Sequence, residues 1–291
     1  MKGSTVESYE ARFLRAVDYL QEHMDEALAT EEIARVACFP SHHFHRIFRG
    51  MAGESIQEHV RRLRLERAAQ QLKSSDSPVR EVATKAGYES REAFTTDFHA
   101  MVSMSPSQFR ASNKRLPNSP SGVHYNNKLG YKAPDYGDTP VEITTIEPQR
   151  IAYIRHTGPY NQLPVTWKTL VGWALQRGLF GPPARFLGVA HDDPEIMAPH
   201  QMHYDAAITV SREIHPEEPI GITELAGGEY VTMTHKGPYE LLGRSFQRLF
   251  GGWLPTSGRE LRDAPAFDTY INSPHDTRPD ELVTVIHIPL A

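Results

Sequence analysis

Residues 31–51 (EEIARVACFPSHHFHRIFRGM) and residues 80–101 (REVATKAGYESREAFTTDFHAM) are two copies of one pattern. Each copy has a short helical run with a small residue, Ala34 or Ala83, followed by a turn and a second helical run. The second run carries two phenylalanines four positions apart, which places both rings on one face of a helix. Alanine in the first run allows the two helices to cross closely. The sequence therefore predicts two helix-turn-helix units.

The two copies are joined by residues 55–73 (SIQEHVRRLRLERAAQQLK), which contain no helix breaker. Ser55 is a good N-terminal cap, so we predict one continuous linking helix. Gly87 supplies the turn of the second copy, whereas Cys38 occupies that place in the first. We interpret Cys38 as a small buried residue of the turn rather than a redox sensor.

The second half of the chain also repeats. HTGPY at residues 156–160 returns as HKGPY at residues 235–239, and HYDAAITV from residue 203 aligns with VTVIHIPL from residue 283. Each copy is predicted to run strand, GPY turn, helix, strand, strand. Two such units side by side predict an α+β domain with pseudo-twofold symmetry and a cleft between the halves. The repeated histidines of the GPY turns are interpreted as structural.

Residues 113–140 are rich in proline, glycine, asparagine and serine and are typical of a linker. We therefore predict a multidomain protein: an all-α double helix-turn-helix domain at residues 8–114, a linker at residues 115–139, and an α+β domain at residues 140–291. The net charge of −5 is unevenly divided, with 17 basic and 16 acidic residues up to position 115 and 14 and 20 after it. This asymmetry favours a binding module joined to an acidic sensor.

Several classes of protein are disfavoured by the sequence. A single cysteine excludes an internal disulfide and a cysteine zinc site. The sequence contains no apolar run of membrane-spanning length and no apolar stretch typical of a signal peptide, so we expect a cytoplasmic protein. It contains no nucleophile elbow, phosphate-binding loop, dinucleotide fingerprint or HExxH motif, so we expect no enzyme and no cofactor.

The segments IARVACFPSHHFHRIFR, VRRLRLERAAQQL and VATKAGYESREAFTTDFHAMVSMSPSQFR resemble the DNA-binding domain of AraC-family regulators. The resemblance implies two recognition helices in successive major grooves. Arg46 is suited to reading guanine, and Arg49 with the arginines of the linking helix to contacting phosphates. The implied DNA-binding residues are Ser41, His42, His45, Arg46, Arg49, Arg61, Arg62, Arg64, Arg91, Glu92, Thr95 and Thr96.

The sequence allows two alternative interpretations of these implied DNA-binding residues. The basic face of the first recognition helix has the alternative interpretation of an ordinary solvated surface. A metal site at the histidines of residues 42–45 is disfavoured, because His42 and His43 point to different faces of a helix. The second recognition helix is less basic than the first, so we expect it to bind DNA more weakly.

From about residue 141, the segments HTGPY, FLGVAHDDP, MHYDAAITV and PDELVTVIHIPL resemble GyrI-like effector-binding domains, in the order of parts found in Rob-like regulators. The resemblance implies an aromatic cleft for bulky, often cationic or amphipathic compounds. Trp167 and Phe246 are interpreted as core. The predicted ligand-binding residues are Tyr160, Trp173, Tyr204, Asp205, Tyr239, Trp253, Phe267 and Glu281.

The acidic residues of the cleft set the expected ligand charge. In the family, the last strand carries an acidic residue at a position that we align with Val285, and the equivalent position in the first repeat is Asp205. One buried carboxylate favours monocationic or neutral aromatic ligands over dications.

The sequence thus predicts a regulator that binds promoter DNA, is controlled by an aromatic or amphipathic ligand, and acts with RNA polymerase. Two alternatives stay open for the second domain: a hydrolase, or an inhibitory protein-interaction module.

Overall fold

The computed structural model describes residues 8–114, 135, 137–138, 140–192 and 197–291. Packing divides the chain into two compact units, one within residues 1–39 and 51–134 and the other within residues 40–50 and 135–291. Most of the predicted linker, residues 115–139, lies outside the described residues. No helix of the described ranges is long and apolar enough to span a membrane.

Residues 8–114 are helical, as the repeats predict. The helices are α1 (Tyr9–Glu22), α2 (Thr30–Val36), α3 (Ser41–Ala52), α4 (Ile56–Ser74), α5 (Val79–Lys85), α6 (Arg91–Val102) and α7 (Pro106–Ala111). Along the chain, α2 and α3 occupy the places of the first predicted helix-turn-helix, α5 and α6 those of the second, and α4 that of the linking helix.

The start of α4 is fixed by a capping box. The Ser55 hydroxyl accepts from the Glu58 amide at 3.2 Å, and the Glu58 carboxylate accepts from the Ser55 amide at 2.7 Å. Two of the amide groups that a helix start leaves unbonded are thereby satisfied. The predicted cap is confirmed.

Both interhelical turns contain a left-handed residue, as the repeat suggests. Cys38 has φ +56° and Gly87 has φ +83°. Cys38 is exposed, so the expectation that it is a buried residue is wrong. Its neighbours Ala37 and Phe39 occupy the buried positions of the turn instead.

The second helix-turn-helix packs around its phenylalanine pair. Phe94 and Phe98 are fully buried with ring centres 5.4 Å apart, and Phe109 of α7 lies 5.5 Å from Phe98. Ala83 of α5 is buried in the same core, as its small size predicts.

The second unit contains eight antiparallel strands and its own helices. The strands are β1 (Glu142–Ile146), β2 (Gln149–Thr157), β3 (Phe186–Ala190), β4 (His203–Thr209), β5 (Gly221–Leu225), β6 (Gly228–Lys236), β7 (Phe267–Tyr270) and β8 (Val283–Pro289). Helix α8 (Leu163–Gln176) follows β2, and α9 (Leu242–Gln247) follows β6 and continues through a π-helical turn (Arg248–Trp253) into α10 (Leu254–Ser257).

The strand order is β1-β6-β8-β7-β3-β4-β2-β5. Each repeat is therefore strand, strand, helix, strand, strand, and the first strand of each repeat pairs with the other repeat. The sequence missed β1 and β5, because these edge strands are largely exposed and lack an alternating apolar pattern.

The sheet has two distinct faces. The helix face packs against α8 and carries Tyr204, Ala206 and Ile208 of β4. The opposite face carries its own core, which includes Ala207 of β4 and Phe267 of β7. Because side chains alternate along a strand, adjacent residues belong to different faces.

Candidate functional site

Three of the predicted DNA-binding side chains share one face of α3. A helix turns about 100° per residue, so His42, Arg46 and Arg49 fall within about 60° of one another. The His42 side chain is 44% exposed, and the two arginines are half-buried. Ser41, at the start of α3, is exposed. This face is not free, because His42 Nδ1 lies 2.9 Å from the Asp263 carboxylate and the Arg46 guanidinium lies 4.5 Å from the Phe246 ring centre, both within the same compact unit.

His45 does not belong to that face. It is only 5% exposed, whereas we expected it to be accessible. The reason is the helical period, which places His45 about 20° from Ala52 and beside the buried stripe of Phe44 and Phe48.

The linking helix α4 separates its three arginines into different environments. Arg61 is 58% exposed, and Arg64 donates through Nε to the Met24 carbonyl at 2.7 Å. Arg62 is buried and contacts Glu54 at 2.5 Å and Glu66 at 2.8 Å. The prediction that Arg62 contacts phosphate is therefore corrected: its charge is already neutralised inside the protein.

The carboxylate partner of Arg62 is held as an anion. Burial raises the pKa of Glu54, but hydrogen bonds from His59 and Arg62 outweigh it and lower that pKa to about 2. The ion pair thus connects the loop before α4 to the helix itself.

Helix α6 presents Arg91, Glu92 and Thr96 to solvent, with Thr95 half-buried. The hydroxyls of Thr95 and Thr96 donate to the carbonyls of Arg91 and Glu92, four residues earlier. Its exposed surface therefore combines one cation with one anion and is less basic than that of α3.

In the second unit, five aromatic side chains meet on the helix face; we name this the aromatic cluster. The Tyr204 and Tyr270 hydroxyls lie 2.6 Å apart. Other rings surround this pair at centre distances of 5.3 to 6.4 Å. The cluster consists of Tyr160, Trp167, Tyr204, Tyr239 and Tyr270.

The three tryptophans differ in how they compare with the prediction. Trp167, interpreted as core, is partly buried against the core of the helix face and also lies 5.5 Å from Tyr270 in an edge-on contact within the aromatic cluster. Trp173, predicted to bind ligand, is 9% exposed and donates to Glu217 from the core under α8. Trp253 is half-buried at the end of the π-helical turn, and no ring contact among the described residues joins it to the cluster.

Asp205 lies on the opposite face and is already paired. Arg155 donates to its two oxygens at 2.6 and 2.8 Å, and His191 lies 2.7 Å from Oδ2. Burial raises the pKa of Asp205, but these two partners lower it below its usual value. The expectation of a ligand-binding carboxylate here is corrected, because Asp205 and Tyr204 alternate along β4.

Three other positions from the sequence analysis also lie away from the cluster, two of them because of the same alternation. Phe267 stacks on His287 at 4.2 Å on the opposite face. Val285 pairs with Thr269 and so shares that face, which means that it replaces no acid beside the aromatic cluster. Glu281 is exposed in a short 3₁₀ turn (Pro279–Glu281), where its carboxylate is solvated.

The carboxylate of the helix face is Asp268, which the sequence analysis overlooked. It pairs with Gly188 on one side and Ile286 on the other, and Tyr270 follows two positions later. Asp268 is 7% exposed, and its Oδ1 has no hydrogen-bond partner among the described residues. Burial raises its pKa to about 7. The detectable signal was an acidic residue inside the short apolar strand AFDTY.

Gly188 makes room for the tyrosine pair above it. A Cβ atom at Gly188 would lie 2.0 Å from the Tyr204 hydroxyl and 2.6 Å from that of Tyr270. Gly188 and Asp268 are also equivalent in the two repeats, 80 residues apart, so the pseudo-twofold axis passes between them.

The two GPY turns use their histidines in the same way. His156 Nε2 lies 3.2 Å from the Pro159 carbonyl, and His235 Nε2 lies 3.2 Å from the Pro238 carbonyl. Each Nδ1 meets a hydroxyl of the following helix, at 3.1 Å in the first repeat and 2.9 Å in the second. These contacts fasten each turn to its helix, as expected for structural histidines.

Comparison with known proteins gives a consistent assignment. Residues 139–291 match the GyrI-like small molecule binding domain, and residues 33–112 match a helix-turn-helix domain. The transcriptional regulator Rob of Salmonella typhimurium is 24% identical over 277 residues, covering 89% of this chain and 90% of Rob. The probable transcriptional regulator YgiV of Escherichia coli O157:H7 is 34% identical over 144 residues, 48% of this chain and 89% of YgiV.

A third relative, the HTH-type transcriptional regulator YbfP of Bacillus subtilis, is 31% identical over 121 residues. That match spans 42% of this chain and 41% of YbfP. The GyrI-like match covers more than half of the chain, and the helix-turn-helix match precedes it in the order found in Rob. The chain therefore belongs to the GyrI-like family, as an AraC-type DNA-binding transcription regulator with a GyrI-like small-molecule-binding domain.

Proposed function

We propose that this regulator is controlled by a flat aromatic compound, monocationic or neutral, that binds at the aromatic cluster beside Asp268. The observation that carries the proposal is an enclosed carboxylate beside four tyrosines and a tryptophan, with one oxygen that has no hydrogen-bond partner in the part of the chain that the structure describes. Tyrosine and tryptophan faces attract aromatic and cationic groups, and a single anion matches a single positive charge.

The test compares two carboxylates on the two faces of the sheet. N-methylphenanthridinium, an aromatic monocation, should raise the melting temperature of the wild type and of Asp205→Asn, but not of Asp268→Asn. Asp205→Asn is the matched control, since it removes an acid from the opposite face. Equal loss of binding in both variants would contradict the proposed site.

For DNA, we propose that His42, Arg46 and Arg49 of α3 enter the major groove, which requires His42 to leave Asp263 and Arg46 to leave the Phe246 ring, and that Arg61 contacts a phosphate. The α6 residues Arg91, Glu92, Thr95 and Thr96 would contact a second, weaker half-site. Arg46→Ala should cost about 1–3 kcal/mol of binding to the promoter and relax preference at one base pair. Arg61→Ala should weaken all sequences alike and reduce the salt dependence. Fluorescence anisotropy on single-base variants of the promoter distinguishes the two effects.

We further propose that the regulator works with RNA polymerase at the promoter and is not a hydrolase. His156 and His235 are buried beside a threonine and a serine hydroxyl, and both fasten a GPY turn to the following helix. This shared structural role supports the proposal that the protein is not a hydrolase. Transcription in vitro with purified polymerase, with and without N-methylphenanthridinium, tests it. A transcript level that never changes would contradict it.

A further inference from the structure

Asp268 is enclosed more completely than a simple cation site requires. Its strand neighbours Gly188 and Ile286 bring no charge, and its side chain is almost inaccessible. An anion with an unpartnered oxygen in such a place is strongly disfavoured unless an opposite charge arrives. Without a bound cation, the protein therefore needs another way to neutralise this carboxyl group.

We propose that Asp268 holds a proton in the ligand-free protein and gives it up when a cationic ligand binds. This inference rests on the proposed ligand site and adds its regulation. The O–H bond of the carboxyl group breaks, the proton passes to solvent, and the carboxylate pairs with the ligand's charge. A neutral ligand leaves the proton in place. The site thus exchanges one positive charge for another.

The other ionisable groups around Asp268 do not remove the need for this proton. Tyr204, Tyr270 and Tyr239 are neutral, since burial raises the pKa of each hydroxyl above its usual value. Arg46, which packs in the same compact unit, is the cation whose charge acts on Asp268, and its guanidinium lies 4.5 Å from the Phe246 ring centre. Its effect is smaller than that of burial, and the pKa of Asp268 stays at about 7.

Two kinds of ligand should therefore respond differently to pH. Below the pKa of Asp268 a cation must displace a proton, so its affinity falls as pH falls. With a pKa of about 7, binding of N-methylphenanthridinium should be about tenfold tighter at pH 8.5 than at pH 6. Phenanthridine, its neutral counterpart, should bind without releasing a proton.

Calorimetry in buffers of different ionisation enthalpy counts the protons released. We expect about one proton per N-methylphenanthridinium at pH 6 and almost none at pH 8.5. Asp205→Asn should release the proton as the wild type does, whereas Asp268→Asn should show neither cation binding nor proton release at either pH. Cation binding with no proton release at pH 6 would overturn the inference and leave the proposed function intact.

Infrared spectroscopy tests the proton without any ligand. The difference between wild type and Asp268→Asn at pH 6 should contain the C=O band of a protonated carboxyl group, and this band should vanish at pH 9. If the variant does not fold, the pH 6 minus pH 9 difference of the wild type reports the same band. Absence of the band would overturn the inference, whether or not a ligand binds. Failure of both phenanthridine compounds to bind would refute only the proposed ligand class.

Discussion

At the scale of single residues, two arginines one position apart in α4 have opposite roles. Arg62 is bound between Glu54 and Glu66 in the protein interior, whereas Arg61 is 58% exposed and lies 4.0 Å from Asp97 at the surface. Removing one member of a buried pair leaves an uncompensated charge, which costs about 3–5 kcal/mol. We expect Arg62→Ala to lower the free energy of unfolding by this amount. Urea denaturation measures it, with Arg61→Ala as the control that should change stability little.

His287 makes a second prediction at this scale, concerning acid. Burial lowers its pKa from 6.5 to about 4, so the unfolded chain binds the proton more readily than the folded one. The stability that neutral His287 contributes is complete above pH 6.5 and is lost as pH falls toward 4. The loss is up to about 3 kcal/mol. His287→Phe, which keeps a ring stacked on Phe267, should flatten this part of the stability profile; an unchanged profile would refute the assignment.

At the scale of elements, the two interhelical turns offer a matched comparison. A non-glycine residue in the left-handed region destabilises the folded state by about 1–2 kcal/mol. Glycine avoids this strain, but its greater conformational entropy in the unfolded chain offsets about 0.5–1 kcal/mol of the gain. Cys38→Gly should therefore stabilise the protein by up to about 1 kcal/mol. Gly87→Ala should destabilise it, since alanine is strained at φ +83° and its Cβ would also displace the Arg64 guanidinium, 2.9 Å away. Urea midpoints that move in the same direction would contradict this account.

The elements also explain which predictions succeeded. The helices were predictable because apolar spacing, the Ser55 cap and the repeat agreed with one another. The edge strands were not, because exposed strands carry no apolar alternation. Asp205 was predicted to bind ligand because the repeat was aligned correctly but the face of its strand was assigned wrongly, and Asp268 was not recognised as a candidate. A shift of one residue along a strand moves a side chain to the other face, and that choice depends on packing across the sheet.

At the scale of the whole molecule, the chain comprises two compact units with separate cores. We therefore expect calorimetry to resolve two thermal transitions. Arg62→Ala should lower one of them, and N-methylphenanthridinium should raise the other. A single transition shifted by both would show that the units unfold together.

The duplication of the second unit has left Gly188 and Asp268 facing each other across the symmetry axis. The two repeats share one fold, but at the symmetry axis one contributes an acidic side chain and the other contributes no side chain. A ligand that pairs with Asp268, as proposed, would therefore meet a site with a head and a tail. An elongated cation would be held in one orientation only, and even a molecule with two identical ends would become distinguishable at each end once bound.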